Sequence, residues 1–192
     1  MKAHENPFSA SAVARIRYRL PESELRSLAE TICQNRSVSA IVGPKGTGKT
    51  TLIEDLVPQL NRLDLRIVWI RLSLESSQTE RAQAIACLNQ LGPQDCALFD
   101  GGEVLNVWQW WRLKRHLKKG QGHLIASLHR RRGCKVLYRT RPDWPLAKRL
   151  VRTLAGQALG TELLPVARKS FLANRGNMRE VFRACYWACA KL

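Results

Sequence analysis

The sequence predicts an α/β fold with a mainly parallel sheet, and three observations predict it. Gly43-Pro44-Lys45-Gly46-Thr47-Gly48-Lys49-Thr50 fits the pattern GxxxxGK[ST]. The pattern stands between the apolar run Val38, Ala40, Ile41, Val42 and a segment carrying Thr51, Leu52, Ile53, Leu56 and Leu60 at helical spacing. Strand, loop and helix therefore come in the order that a phosphate-binding loop requires. Further short apolar runs at 66–72, 96–99, 123–128 and 135–140, most of them separated by helical patterns, supply the other strands.

The loop's composition follows from its chemistry. Backbone N–H groups must wrap a triphosphate closely, so Gly43, Gly46 and Gly48 provide positions without a Cβ. The helix that follows turns its positive end toward the anion. The run from Gly43 through Pro44, Lys45, Gly46, Thr47, Gly48, Lys49 and Thr50 to Thr51 is thus the nucleotide-holding segment. Within it Lys49 reaches the β- and γ-phosphates and the Thr50 hydroxyl ligates Mg²⁺. The competing reading is a glycine-rich turn before an ordinary helix.

A chain of 192 residues is one domain with room for a small appendage. No apolar run approaches the length of about 18 residues that a membrane span needs, and residues 1–10 lack a signal-peptide core, so the expectation is a soluble, cytoplasmic protein. Cys33, Cys87, Cys96, Cys134, Cys185 and Cys189 form no C-x-x-C pair and have no histidine at zinc-finger spacing, and they read as reduced small hydrophobes.

The net charge of +17 is local. Residues 1–111 balance 12 basic against 12 acidic side chains, whereas residues 112–152 carry 14 basic residues against Asp143 alone. That density suits phosphate-rich partners, DNA or RNA, or an anionic surface. A solvated basic exterior is the alternative.

Before the loop, Asn6-Pro7-Phe8 and the basic, aromatic stretch Arg15 to Arg19 lead into a helical pattern over 22–34 with Leu25, Leu28, Ala29 and Ile32 on one face. Either Tyr18 or Arg17 stacks on a base, or Phe8 and Tyr18 pin this strap to the core. Past the loop, Pro58 should kink or end the helix that starts at Lys49. A helix over 79–91 stops at Gly92-Pro93.

The run Cys96-Ala97-Leu98-Phe99 ends in Asp100 and is followed by Gly101-Gly102-Glu103. A buried strand delivering a carboxylate fits a metal-holding role for Asp100 beside Thr50, and Glu103 is placed to polarise an attacking water. A helix over 104–119 then brings Trp108, Trp110 and Trp111 together with Arg112, Lys114, Arg115, Lys118 and Lys119. Its apolar positions cover more than one face, which leaves both core packing and base stacking open.

Three helices follow the fifth strand: one from Leu146 to near Gly156 or Gly160, one over 165–173, and one capped by Asn177 with Val181, Phe182, Cys185 and Cys189 as its buried stripe.

This order of landmarks resembles the additional-strand P-loop NTPases, close to small AAA+ and STAND-type ATPases. Asp100-Gly101-Gly102-Glu103 resembles the STAND form of the Walker B strand end, and Gly176-Asn177-Met178-Arg179-Glu180 resembles the sensor 2 region of AAA+ lids. The Asn6-Pro7-Phe8 opening is similar to the segment before the core in transposition- and secretion-related ATPases. The overall layout is similar to short P-loop proteins of planctomycete bacteria.

The resemblance implies a three-layer sandwich with strand order 5-1-4-3-2, adenine as the base, and a fourth strand whose end, Ser127 or His129, senses the γ-phosphate. It also implies that Arg179, or an arginine from a neighbouring subunit, completes the transition-state charge. It implies a division into an N-terminal strap and helix (1–37), a P-loop core (38–160) and a lid-like helical extension (161–192); the sequence departs from the family's pattern in offering no full multi-helix lid.

The expectation is therefore an Mg²⁺-dependent ATP-binding protein, a slow ATPase used as a conformational switch. Lys49, Glu103 and Arg179 would act in catalysis, and Thr50 and Asp100 would hold the metal. The alternatives are a nucleotide-gated nucleic-acid-binding module acting through 112–152 and, ranked lower, a small-molecule phosphotransferase. A second copy of the chain or a partner protein is open as a further partner.

Overall fold

The computed structural model describes residues 5–18, 20–34, 38–120 and 122–191. Part of the N-terminal strap, Arg19 included, lies outside them. In chain order the elements are α1 (Ala10–Ala14), α2 (Glu22–Gln34), β1 (Val38–Val42), α3 (Lys49–Asn61), β2 (Arg66–Arg71), α4 (Gln78–Asn89), β3 (Asp95–Asp100), a 3-10 turn (Gly102–Val104), α5 (Val107–Gly120), β4 (His123–Leu128), β5 (Lys135–Arg139), α6 (Trp144–Ala155), α7 (Gln157–Glu162), α8 (Leu164–Ala173) and α9 (Met178–Cys189). They fall into two compact units, one of residues 18–43 and 49–139, the other of residues 1–17, 44–48 and 140–192.

The first unit contains the sheet. Its order is β2-β3-β4-β1-β5, which read from the other edge is the expected 5-1-4-3-2, and every pairing is parallel. Because successive side chains on a strand point to opposite faces, a strand buried on both sides must be apolar throughout. β3 shows this: Cys96 and Leu98 join α2 and α3 through Ile32, Leu52, Ile53 and Leu56, while Ala97 and Phe99 join α4 and α5 through Leu88, Trp110, Leu113 and Leu117. The unit is thus helix, sheet, helix in three layers. Tyr18 belongs to the first of these faces, with its ring edge-on to Tyr138 at 5.8 Å and its N–H donating to Asp55 Oδ2 at 2.8 Å.

Two helix boundaries differ from the sequence expectation. α3 continues through Pro58 to Asn61, so the proline falls in the helix's last turn and neither ends it nor removes more than one bond. α5 starts at Val107 because Asn106 caps it: the Asn106 side chain accepts from Gln109 N–H and the Gln109 side chain accepts from Asn106 N–H, each at 2.9 Å. That reciprocal box is legible in Asn106-x-x-Gln109.

The second unit is helical. Phe8, Ala147, Val151, Leu163, Ala167, Met178, Val181, Phe182, Cys185 and Cys189 form its core. The Asn-Pro-Phe opening is anchored there: buried Asn6 donates from Nδ2 to Tyr186 O and accepts the Phe8 N–H at Oδ1, both at 3.0 Å, and Phe8 packs on Phe182. Among the described residues the region after β5 carries four helices where the sequence pattern predicts three. Gly156, at φ 78, breaks what reads as one helix running on toward Gly160. Asp143 and Asn177 cap α6 and α9 through Leu146 N–H and Arg179 N–H.

Candidate nucleotide site

In a parallel sheet all strands end on the same edge, and the unpaired ends there are where α/β folds place their chemistry. At that edge β1 runs into Gly43, whose N–H donates to Leu128 O at the end of β4 at 3.0 Å. α3 begins at Lys49 and Thr50.

Lys49 is only 8% exposed, and its ammonium donates to Gly43 O at 2.9 Å. Thr50 Oγ1 donates to Asp100 Oδ2 at 2.8 Å, and Ser127 Oγ, from β4, donates to Asp100 Oδ1. A carboxylate accepts only, so two hydroxyls aimed at its two oxygens fix both its position and its orientation. The sequence put Thr50 and Asp100 together; Ser127 as Asp100's second partner is new. Ser127 is buried, while His129, the other residue considered at this strand end, is exposed.

Glu103 faces that same strand end. Its Oε1 accepts the His129 backbone N–H at 2.5 Å and lies 3.5 Å from His129 Nδ1. Its carbonyl and that of Leu105 accept from Arg132 at 3.3 Å and 2.5 Å. The turn that separates Asp100 from Glu103 depends on Gly101, at φ 92, where an added Cβ would stand 1.8 Å from Leu72 O. No L side chain fits there.

The second unit holds the central part of the loop. Gly46 (φ 73) and Gly48 (φ 85) take left-handed backbone conformations. The Thr47 hydroxyl donates to Pro44 O at 2.8 Å and lies 2.5 Å from the hydroxyl of buried Thr140. With its own proton used on Pro44, Thr47 accepts from Thr140.

The start of α9 packs directly on this segment. Met178 N–H donates to Gly46 O at 3.1 Å, and a Cβ on Gly46 would meet Asn177 Oδ1 at 1.8 Å and Arg179 N at 3.3 Å. Gly176-Asn177-Met178-Arg179 is thereby brought against the loop by its backbone, while the Arg179 side chain is exposed. Pro44 and Lys45 are exposed, and Thr51 is half-buried.

Trp110 is buried, and its indole N–H donates to Gly102 O at 2.8 Å, so this tryptophan supports the backbone beside Asp100. The basic stretch 112–152 is divided, residues 112–139 belonging to the sheet unit and 140–152 to the helical unit. Burial pushes the Cys96 and Cys185 thiols up to about 12, which keeps them protonated. Among the described residues no three His, Cys, Asp or Glu side chains gather as a metal site, and no helix is long and apolar enough to cross a membrane.

No family model matches the chain, and no curated protein matches it. Solved structures do. A DNA replication initiation factor is 13% identical with a TM-score of 0.56, covering 85% of this chain and 60% of that one. The replication initiator DnaA, bound to AMPPCP and single-stranded DNA, is 14% identical with a TM-score of 0.55, covering 85% and 58%. PCH-2 of C. elegans is 13% identical with a TM-score of 0.50, covering 88% and 68%. This chain spans about three-fifths of the length of the first two. At these identities the likeness establishes the fold alone, a three-layer α/β arrangement around a parallel five-stranded sheet.

Proposed function

We propose that this chain binds ATP with Mg²⁺ and hydrolyses it slowly, the nucleotide state serving as a conformational switch. The observation that carries this reading is the Asp100 carboxylate held by the hydroxyls of Thr50 and Ser127, with Lys49 at the start of the same helix as Thr50.

The donor set is a carboxylate and hydroxyls, hard oxygen ligands that fit Mg²⁺ and not a thiolate-seeking metal. Thr50 and Asp100 are the residues that would hold the ion, which when bound neutralises charge on phosphate oxygens. Lys49 stands at the start of α3 with its ammonium donating to Gly43 O, and in this reading that ammonium serves phosphate oxygens. Both His129 contacts use Glu103 Oε1, leaving Oε2 to accept a proton from the attacking water. Arg179 is assigned the completing positive charge on the strength of its place in Gly176-Asn177-Met178-Arg179.

The adenine preference, the STAND-like form of the strand end, the likeness to planctomycete P-loop proteins, the lid-like role of 161–192 after a core of 38–160, and a cytoplasmic setting belong to the same proposal and rest on the sequence landmarks. Support for a nucleotide also comes from a structural neighbour solved with AMPPCP.

The test is phosphate release by the purified chain with and without Mg²⁺. Turnover that requires Mg²⁺ and is abolished in Asp100→Asn supports the reading, and metal-independent release that survives the substitution contradicts it.

A second reading, a nucleotide-gated nucleic-acid-binding module, is favoured by one observation: the basic helix α5 exposes two tryptophans. It predicts binding to DNA or RNA that weakens steeply with salt. A second copy or a partner protein remains compatible with either reading.

A further inference from the structure

We propose that the solvent face of α5 is a docking strip for a single-stranded nucleic acid, with Trp108 and Trp111 stacking on unpaired bases and the interleaved cations neutralising phosphates. The inference deepens the second reading above and rests on it.

The helix is divided by register. Trp110, Leu113 and Leu117 are buried against the sheet. Trp108, Trp111, Arg112, Arg115, Lys118 and Lys119 are exposed, at spacings of three and four that place them along one outward strip. Trp108 is 74% exposed and Trp111 50%. The structural job available to a tryptophan here, filling the core and satisfying its N–H, already belongs to Trp110. The outer pair are edge-to-face at 6.1 Å, and the Arg115 guanidinium lies over the Trp111 ring at 5.3 Å. Aromatic faces with a flanking guanidinium are what successive bases stack on, whatever their sequence.

Charge selects the occupant. α5 carries no carboxylate in its fourteen residues. Lys114 Nζ donates to Gly133 O at 3.4 Å, tying the helix to the turn that bears exposed Arg130 and Arg131. Two copies of such a face repel each other, which disfavours self-association. A lipid surface is disfavoured because an interfacial helix inserts its continuous apolar face, and that face of α5 is spent on the core. A duplex hides its base faces within its own stack, so a tryptophan that stacks requires an unpaired strand.

The experiment is fluorescence anisotropy with a short labelled oligothymidylate, the matching duplex and anionic vesicles, using the full chain and the variants Trp108→Ala, Trp111→Ala and Trp111→Phe. The single strand should bind more tightly than the duplex, with quenching of tryptophan emission. Each alanine variant should weaken binding by about five- to a hundred-fold, and Trp111→Phe should recover part of the loss.

Equal affinity of the parent and both alanine variants overturns the proposal while leaving a salt-dependent phosphate-binding module in place. Absence of any nucleic-acid binding overturns both. Vesicle binding with blue-shifted tryptophan emission, in place of oligonucleotide binding, overturns it in favour of a membrane. Because both side chains are exposed, unfolding temperature and ATP turnover should match the parent, which separates lost stacking from lost fold.

Discussion

At the carboxyl end of β3 the polar groups are closed on one another: Asp100 is taken by Thr50 and Ser127, Glu103 by the His129 N–H, and the Gly102 carbonyl by Trp110. A few residues later α5 leaves Val107 81% exposed, Trp108 74% and Trp111 50%, beside unopposed cations. One stretch of chain thus holds polar groups that are partnered and aromatic rings that are left uncovered. Carboxylates that must present a fixed geometry are held in place before the ligand arrives, whereas large rings left in water mark a surface completed by something else. The two regions share Trp110, which packs on Phe99 of β3 and belongs to the same helix as the exposed pair.

That shared residue offers the sharpest contrast. Trp110→Ala removes a buried ring and the donor to Gly102 O, and should cost about 3–5 kcal/mol in denaturant unfolding. Trp108→Ala, two positions earlier and on the outer face of the same helix, should change stability by no more than about 0.5 kcal/mol. Equal losses would erase the distinction between the faces.

Substitutions at the polar site should show in rate as well as in stability. Asp100→Asn keeps the shape but removes the charge and turns one of the two accepting oxygens into an N–H donor, so Mg²⁺-supported phosphate release should fall by about 10²-fold or more, with a smaller change in the unfolding midpoint. Gly101→Ala tests the turn between Asp100 and Glu103. With φ at 92 and Leu72 O in the way, it should destabilise by about 1–3 kcal/mol in thermal unfolding. Ser127→Ala removes one of the two hydroxyls on Asp100, and a loss of about 1 kcal/mol in stability, with a weakened Mg²⁺ response, is the expected outcome.

The opposite end of β3 carries a carboxylate with a structural task only, and it gives the smallest effect. Arg66 donates to both oxygens of Asp95 at 2.6 and 3.0 Å, and together with the Gly92 N–H holds its carboxyl below the usual range. A carboxyl whose folded pKa is depressed contributes stability that is complete above its unfolded value, near pH 4, and lost as pH falls through the folded one. Acid titration of unfolding should therefore show a decline below about pH 4 that is shallower in Asp95→Asn.

Much of the fold was legible because it is carried by local pattern. A doubly buried strand has to be apolar along its length, and the phosphate-loop glycines have to be glycines, so β1, the loop, α3 and β3 could be read directly. Asn177 as a cap was readable for the same reason, since a cap is a contact between near neighbours. The contacts of the site that were not readable join residues far apart in the chain: Ser127 with Asp100, His129 with Glu103, and Met178 with Gly46. No periodicity encodes these. The α5 tryptophans fall between the two cases, because three rings within four positions span more than one helix face, and only the sheet beneath decides that Trp110 is the one covered. The sequence left the end of α6 open between Gly156 and Gly160, because a glycine inside a helical pattern is compatible with continuation as well as with an end; the chain breaks at Gly156.

The central claim is that residues Gly43 to Thr51 hold a nucleoside triphosphate, with Lys49 as the principal cation. Calorimetric titration of ATP, in the presence of Mg²⁺, into the parent chain and into Lys49→Ala tests it most directly. Saturable binding to the parent and at least a tenfold loss in the variant, about 1.4 kcal/mol, is the predicted result. Unchanged affinity in the variant, or no binding to the parent, would contradict the account.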